Sequence, residues 1–134
     1  MQRFVDAQQR VHAGALAELR AGKKLSHWMW FVFPQIAGLG RSSTARFYAI
    51  ADRSEAETYA RHRVLGPRLV ESTRAMLGWA GRREAERILG PIDALKFNSS
   101  MTLFEACASD PAPFATALDA FYGGERDWAT LERL

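Results

Sequence analysis

Apolar residues recur every three or four positions along most of the chain, between residues that typically begin or end helices. This spacing puts the apolar side chains on one face of a helix, whereas a half-buried strand needs alternation at every second position. The pair Asp110 and Pro111 favours a helix start, and Gly123 with Gly124 favours a stop. The pattern predicts a series of short amphipathic helices.

The residue composition also favours helices over strands. Ala occurs 22 times and Leu 13 times, whereas Val and Ile together occur nine times. No linker or low-complexity stretch divides the 134 residues, which is the size of one domain. We therefore predict an all-α fold, a single compact multihelical domain over residues 1–134, with about six to eight short helices and no significant sheet.

Capping residues predict where several helices begin. Ser54 and Glu57 have the spacing of a capping box. Ser99 or Ser100 is predicted to cap a separate helix after the one that starts at Pro91. Asp127 is predicted to cap a last helical turn. The apolar side chains of that turn are expected to point inward: Trp128, Leu131 and Leu134.

Several classes of protein are excluded by simple counts. The single cysteine cannot close an intramolecular disulfide, so we predict a reduced, cytoplasmic protein. The longest apolar run, residues 28–33, is far shorter than the roughly 18 residues of a membrane span. The three histidines lack the spacing of metal ligands. We predict no membrane contact, no metal and no cofactor.

The positive charge is concentrated in the first half of the chain. The formal net charge is +3. Residues 1–75 contain twelve Lys or Arg against six Asp or Glu, whereas residues 76–134 contain six against nine. This distribution favours a local anion site over a broad basic face.

The segment KKLSHWMWFVFPQ, residues 23–35, interrupts the helical pattern with four aromatic residues and a histidine. One interpretation is that its bulky side chains form the centre of a small core. The other is that its aromatic and polar groups line a pocket for a planar anionic ligand. The candidate ligand-binding residues of this segment are Lys24, His27, Trp28, Trp30 and Gln35.

The next segment, GLGRSS at residues 38–43, is a glycine-rich loop that leads into a helix start. Such a loop can present backbone N–H groups to a phosphate or carboxylate, and Arg41 would add a charge-assisted hydrogen bond. The loop has neither the Walker pattern nor a dinucleotide fingerprint. The alternative is that the glycines turn the chain and a serine caps the helix. The candidates here are Arg41, Ser42 and Ser43.

Four segments of the sequence are distinctive: KKLSHWMWFVFPQIAGLGRSS, VLGPRL, LGPIDALKFNSSMTLFE and FYGGERDWATLERL. Together they resemble an uncharacterised bacterial family of unknown function that is sometimes labelled calpastatin. The resemblance covers essentially the whole chain and implies a small all-α domain, but it brings no activity or catalytic residue. Calpain inhibitors are disordered and poor in apolar residues, so that label does not suit a chain with 48% apolar residues.

A second polar group follows Pro91. Asp93 and Lys96 are three residues apart on one helix face and are explained either as an exposed ion pair or as part of a ligand site. In the second case Asp93 would be a hydrogen-bond acceptor or general base in the pocket wall opposite His27. Lys96, Ser99 and Ser100 would bind ligand there. His27 and Asp93 are the catalytic candidates, and the sequence leaves open whether the chain is an enzyme.

Three functional hypotheses remain. The first is a pocket for a small anionic or nucleotide-like ligand, formed by the HWMWFVFPQ segment, the GLGRSS helix start and the Asp93 turn. The second is a weak nucleic-acid binder, although no recognised binding motif is present. The third is a protein-interaction module or homodimer with the aromatic segment as its interface. The arginines of the second hypothesis are Arg41, Arg46, Arg61, Arg63 and Arg68.

Overall fold

Helices account for the regular secondary structure of the chain. The computed structural model describes residues 1–134 and contains no sheet, only one isolated parallel bridge between Ile36 and Ile50. The all-α prediction is confirmed, with ten helices rather than about six to eight. None of them has both the length and the apolar character needed to cross a bilayer. Their bounds are α1 Gln2–Gln8, α2 His12–Arg20, α3 Met29–Val32, α4 Ser43–Phe47, α5 Arg53–Arg61, α6 Leu65–Leu77, α7 Ala85–Leu89, α8 Pro91–Cys107, α9 Ala112–Tyr122 and α10 Trp128–Leu131.

Helix α8 is the longest helix and lies at the centre of the fold, with α5, α7, α9 and α10 packed around it. Its residues Phe97 and Phe104 are fully buried. The ring of Phe97 lies 4.8 Å from that of Phe33, and the ring of Phe104 lies 5.3 Å from that of Tyr59. Burying each phenylalanine side chain contributes about 2 kcal/mol to folding. Helix α8 therefore connects the aromatic segment to the rest of the core.

The prediction that Ser99 or Ser100 begins a separate helix is wrong. Both residues lie inside α8. The hydroxyl of Ser99 donates to the carbonyl oxygen of Leu95 at 3.3 Å, one turn earlier. A capping serine instead accepts an N–H from the turn that follows it. The helix continues through the serine pair because Phe97 and Met101, on either side, are buried in the same core.

Helix α5 begins two residues earlier than the predicted capping box. The carboxylate of Asp52 accepts a hydrogen bond from the backbone N–H of Glu55 at 2.9 Å. The carboxylate of Glu55 accepts one from the backbone N–H of Ala51, also at 2.9 Å. Asp52 and Glu55 therefore perform the capping that was assigned to Ser54 and Glu57. An ionised side chain at this position is also favoured by the helix dipole.

Two predicted boundaries of α9 are confirmed. The carboxylate of Asp110 accepts the backbone N–H of Ala112 at 3.1 Å, at the start of the helix. Gly123 follows the last residue of the helix with a φ of 61°, a left-handed conformation that glycine adopts without steric cost. Local capping chemistry alone is sufficient to locate both ends of α9.

The last turn, α10, begins after Asp127 as predicted, but Trp128 does not point inward. It is 74% exposed. The carboxylate of Asp127 accepts hydrogen bonds from the hydroxyls of Ser99 at 2.7 Å and Thr130 at 2.6 Å. Thr130 is fully buried. These bonds turn the Thr130 face of α10 toward the core, and Trp128 consequently lies on the outer face.

The aromatic segment forms part of the hydrophobic core. Trp28 is fully buried, Phe33 is 1% exposed and Phe31 is 8% exposed, whereas Trp30 is only half-buried. This burial matches the core interpretation of the segment. It also takes Trp28, Phe31 and Phe33 out of the surface, which leaves little aromatic area for the protein-binding interface of the third hypothesis.

The carboxylate of Glu18 on α2 holds the segment at its start. It accepts hydrogen bonds from the backbone N–H groups of Leu25 and Ser26 at 2.7 and 2.9 Å. The Ser26 hydroxyl also donates to it at 2.7 Å, and the Trp28 indole N–H at 2.9 Å. Burial acts to raise the pKa of Glu18, but these donors outweigh it and lower the pKa to about 2.

Candidate functional site

Three of the predicted ligand-binding residues line one small cavity. Trp30, Gln35 and Lys96 meet there beside Gly40 of the glycine-rich loop. The cavity has a volume of about 10 Å³. This is the space of about one water molecule. The predicted pocket for an anionic or nucleotide-like ligand is therefore nearly filled by the protein's own side chains.

Asp93 lies between two lysines. Its carboxylate is 3.0 Å from the ammonium of Lys24 and 3.8 Å from that of Lys96. The Lys24 ammonium lies 5.1 Å from the ring centre of Trp28, and the Lys96 ammonium lies 5.3 Å from that of Trp30. The structure thus brings together five predicted site residues. Both lysines already have an anionic partner and an aromatic ring, and the cluster ties the aromatic segment to α8.

The other predicted residues near the aromatic segment lie apart from this cluster. His27 and Arg41 are exposed. No hydrogen bond or ion pair joins His27 to Asp93, whose two oxygens pair with the lysines. The hydroxyl of Ser42 accepts the backbone N–H of Ala45 at 3.1 Å and caps α4. Ser43 is the exposed first residue of that helix.

The two serines of α8 face the protein interior. The Ser99 hydroxyl is occupied by Asp127. Ser100 is fully buried, and its hydroxyl has no hydrogen-bond partner. Neither serine lies on the wall of the small cavity lined by Trp30 and Lys96.

The largest concave surface of the molecule lies elsewhere, between α5 and α6 and the end of α2. We call it the basic cleft, and its volume is about 770 Å³. Pockets for small molecules typically have volumes of about 300–1,000 Å³. Its floor is formed by small and apolar residues: Ala60, Gly66, Pro67, Val70 and Ala75. Its charged and polar residues are Arg20, Arg61, His62, Arg63, Glu71 and Arg74.

Three of the cleft arginines have no protein partner. The guanidinium groups of Arg61, Arg63 and Arg74 form no ion pair or side-chain hydrogen bond, and all three residues are exposed. Arg20 lies 3.8 Å from Glu71, whose other oxygen is 2.9 Å from the imidazole of His12. Four guanidinium groups therefore face a single carboxylate, and the positive charge of the cleft is not compensated by the protein.

Some arginines elsewhere in the chain are instead paired or partly buried. Arg3 pairs with Glu55 at 3.0 Å, and Arg126 pairs with Glu105. Arg68, although it lies on α6, has one guanidinium nitrogen buried without a partner. It therefore does not belong to an exposed basic face with Arg61 and Arg63, as the nucleic-acid hypothesis requires.

His62 contributes a neutral donor to the cleft. Its Nδ1 atom accepts the backbone N–H groups of Val64 at 3.1 Å and Leu65 at 3.2 Å. A ring nitrogen that accepts hydrogen bonds carries no proton, so we assign the proton to Nε2. The first amides of α6 are thus capped by the protein itself, and a ligand would be bound by side chains.

From the sequence, Arg61 and Arg63 are predicted only as contacts to nucleic acid, and Arg20 and Arg74 are not predicted as binding residues. One signal was available for Arg74. Pro67, Val70 and Arg74 are spaced by three and four residues, which places Arg74 on the same helix face as two residues of the cleft floor. Arg20 had no such signal, because its position depends on how α2 packs against α6.

By its fold and this cleft, the protein is a small all-helical domain with a basic concave surface between the consecutive helices α5 and α6. The chain belongs to the family described as protein of unknown function (DUF1810), whose model matches residues 1–134. The family resemblance in the sequence is thereby confirmed.

A solved structure is similar over nearly the whole chain. It is the conserved hypothetical protein Rv1873 from Mycobacterium tuberculosis, which is 46% identical in sequence, with a TM-score of 0.95. The alignment covers 99% of this chain and 94% of that one. No curated protein matches the chain.

Proposed function

We propose that the chain binds a small phosphate-bearing molecule in the basic cleft. The observation that carries the proposal is the set of three guanidinium groups, Arg61, Arg63 and Arg74, that surround one cleft and have no protein partner. A guanidinium presents two parallel N–H donors that match the oxygens of a phosphate.

The rest of the cleft supports a small ligand. The apolar floor offers a surface for an organic group, and the Nε2–H of His62 offers a neutral donor beside the arginines. Glu71 adds one acceptor, held in place by His12 and Arg20. The lining contains no hydroxyl or thiol nucleophile, so the proposal is one of binding.

Titration calorimetry with pyrophosphate at low salt tests the proposal. We expect Arg61→Ala, Arg63→Ala and Arg74→Ala each to weaken binding about tenfold, because each removes a hydrogen bond between charged groups. Arg41→Ala and Arg46→Ala are matched controls, since both residues are exposed, form no side-chain bonds and do not line the cleft. These controls should bind pyrophosphate with nearly the wild-type affinity.

Two results would contradict the proposal. One is an absence of pyrophosphate binding by the wild-type protein at low salt. The other is an equal loss of affinity in the cleft variants and the control variants, since that would show attraction by net charge alone.

A further inference from the structure

An apolar recess of about 100 Å³ opens beside the basic cleft, between α6 and the start of α9. Ala60, Gly66 and Val70 line both the cleft and the recess, so the two share one wall. The inner surface of the recess is formed by Leu69 and Phe114, each only 2% exposed. A molecule bound in the cleft is therefore within reach of an apolar site.

The recess and the cleft have opposite charge. Ser109 and Asp110 are exposed and line the recess. One carboxylate oxygen of Asp110 accepts the backbone N–H of Ala112, and its second oxygen has no partner in the protein. A negatively charged group is repelled from this end and attracted to the arginines of the cleft. A group with N–H donors is favoured beside Asp110.

We propose that the ligand is a nucleoside monophosphate. This assignment rests on the proposed function. Its phosphate binds Arg61, Arg63 and Arg74, and its base enters the recess. The recess of about 100 Å³ is smaller than the apolar cavity of ~150 Å³ that holds benzene, so it accepts the edge of a single ring and excludes a double ring. The unpartnered oxygen of Asp110 accepts a hydrogen bond from the amino group of the base.

Calorimetry with three probes tests this assignment: cytidine monophosphate, ribose 5-phosphate and pyrophosphate. We expect wild-type protein to bind cytidine monophosphate about tenfold more tightly than ribose 5-phosphate, because only the first has a base to place in the recess. Val70→Phe fills the entrance of the recess and should abolish this preference, so that the two phosphate esters bind with equal affinity.

Asp110→Asn is a second variant that does not depend on how well Val70→Phe folds. Asparagine is as good a helix cap as aspartate, so α9 is retained while the charge is removed. We expect the preference for cytidine monophosphate to fall severalfold, with pyrophosphate binding unchanged or slightly stronger. Thermal unfolding midpoints verify that both variants are folded.

The possible failures are distinguishable. Equal affinity of the wild type for cytidine monophosphate and ribose 5-phosphate, with arginine-dependent binding of pyrophosphate, overturns the base assignment and leaves the proposed function standing. A preference that both variants retain shows that the base lies outside the recess. Binding of none of the three probes overturns both the assignment and the proposed function.

Discussion

A single carboxylate, that of Glu18, accepts four hydrogen bonds that hold residues 25–28 against α2. Its pKa of about 2 lies well below 4.5, the ordinary pKa of a glutamate side chain. Because the folded state favours the ionised carboxylate, Glu18 stabilises the fold above about pH 4.5, and this contribution disappears as the pH falls toward 2.

We expect Glu18→Gln to lower the free energy of unfolding by about 2 kcal/mol at pH 7, as is usual for hydrogen bonds to a charged group. Glutamine keeps the size of the side chain but removes its charge and one acceptor. Urea unfolding at several pH values between 2 and 7 measures the difference. The gap between wild type and variant should close as the pH falls below 4.5. A gap that stays constant over this range would contradict the role of the ionised form.

At the scale of helices, α5 and α6 meet at very close range. A Cβ atom added to Gly66 would lie 2.4 Å from the carbonyl oxygen of Ala60, a backbone atom that cannot move without shifting the end of α5. The glycine is required here by the close approach of two backbones, and the contact lies between the two helices that form most of the basic cleft.

We expect Gly66→Ala to destabilise the protein by about 1–3 kcal/mol, the usual cost of overpacking. Gly14→Ala is a matched control, because Gly14 is exposed in the first turn of α2 with no heavy atom near the added Cβ. Alanine is the better helix former there and should stabilise the protein by about 0.5–1 kcal/mol. Urea unfolding midpoints measure both changes. The same sign of effect in the two variants would show that helix propensity, not the α5–α6 contact, determines the result.

The attachment of α10 depends on hydrogen bonds rather than on an apolar face. Asp127 accepts the hydroxyls of Ser99 and Thr130, and its own N–H donates to the hydroxyl of Thr102 at 2.9 Å. We expect Asp127→Ala to cost about 1–3 kcal/mol, because it leaves the buried hydroxyl of Thr130 without an acceptor and removes the shorter hydrogen bond of Ser99. Amide hydrogen exchange over residues 128–134 should accelerate more than in the rest of the chain.

Asp119→Ala is the control for this helix. The Asp119 side chain is 70% exposed, and its carboxylate lies 3.6 Å from the guanidinium of Arg126. Such an exposed pair contributes less than about 1 kcal/mol. If exchange in α10 is as fast in Asp119→Ala as in Asp127→Ala, the assigned anchor is wrong.

At the scale of the whole molecule, local signals were enough to predict the class of fold. Apolar spacing and caps such as Asp110 are local, so the all-α architecture and the bounds of α9 follow directly from the sequence. The number of helices was underestimated partly because the chain breaks between α1 and α2 at residues 9–11, where no proline or glycine marks a break. The serine pair of α8 was misassigned because burial decides whether such residues cap a helix or lie within it.

The candidate site was much less predictable. The basic cleft combines side chains from α2, α5 and α6, and their convergence depends on how those helices pack. All four of its arginines lie in the basic first 75 residues, so the charge distribution pointed to the correct half of the chain. The aromatic segment is ambiguous in the sequence, because large side chains that are polar at one end can either line a pocket or fill a core.

The environments of the four tryptophans have a spectroscopic consequence. Trp28 is fully buried, Trp30 and Trp79 are half-buried, and Trp128 is 74% exposed. A soluble quencher such as iodide therefore reaches the indole of Trp128 first and that of Trp28 last. Emission quenched at low iodide reports on the C-terminal turn, and the emission that resists quenching reports on the core. One unlabelled chain thus contains an optical probe for each of these two regions.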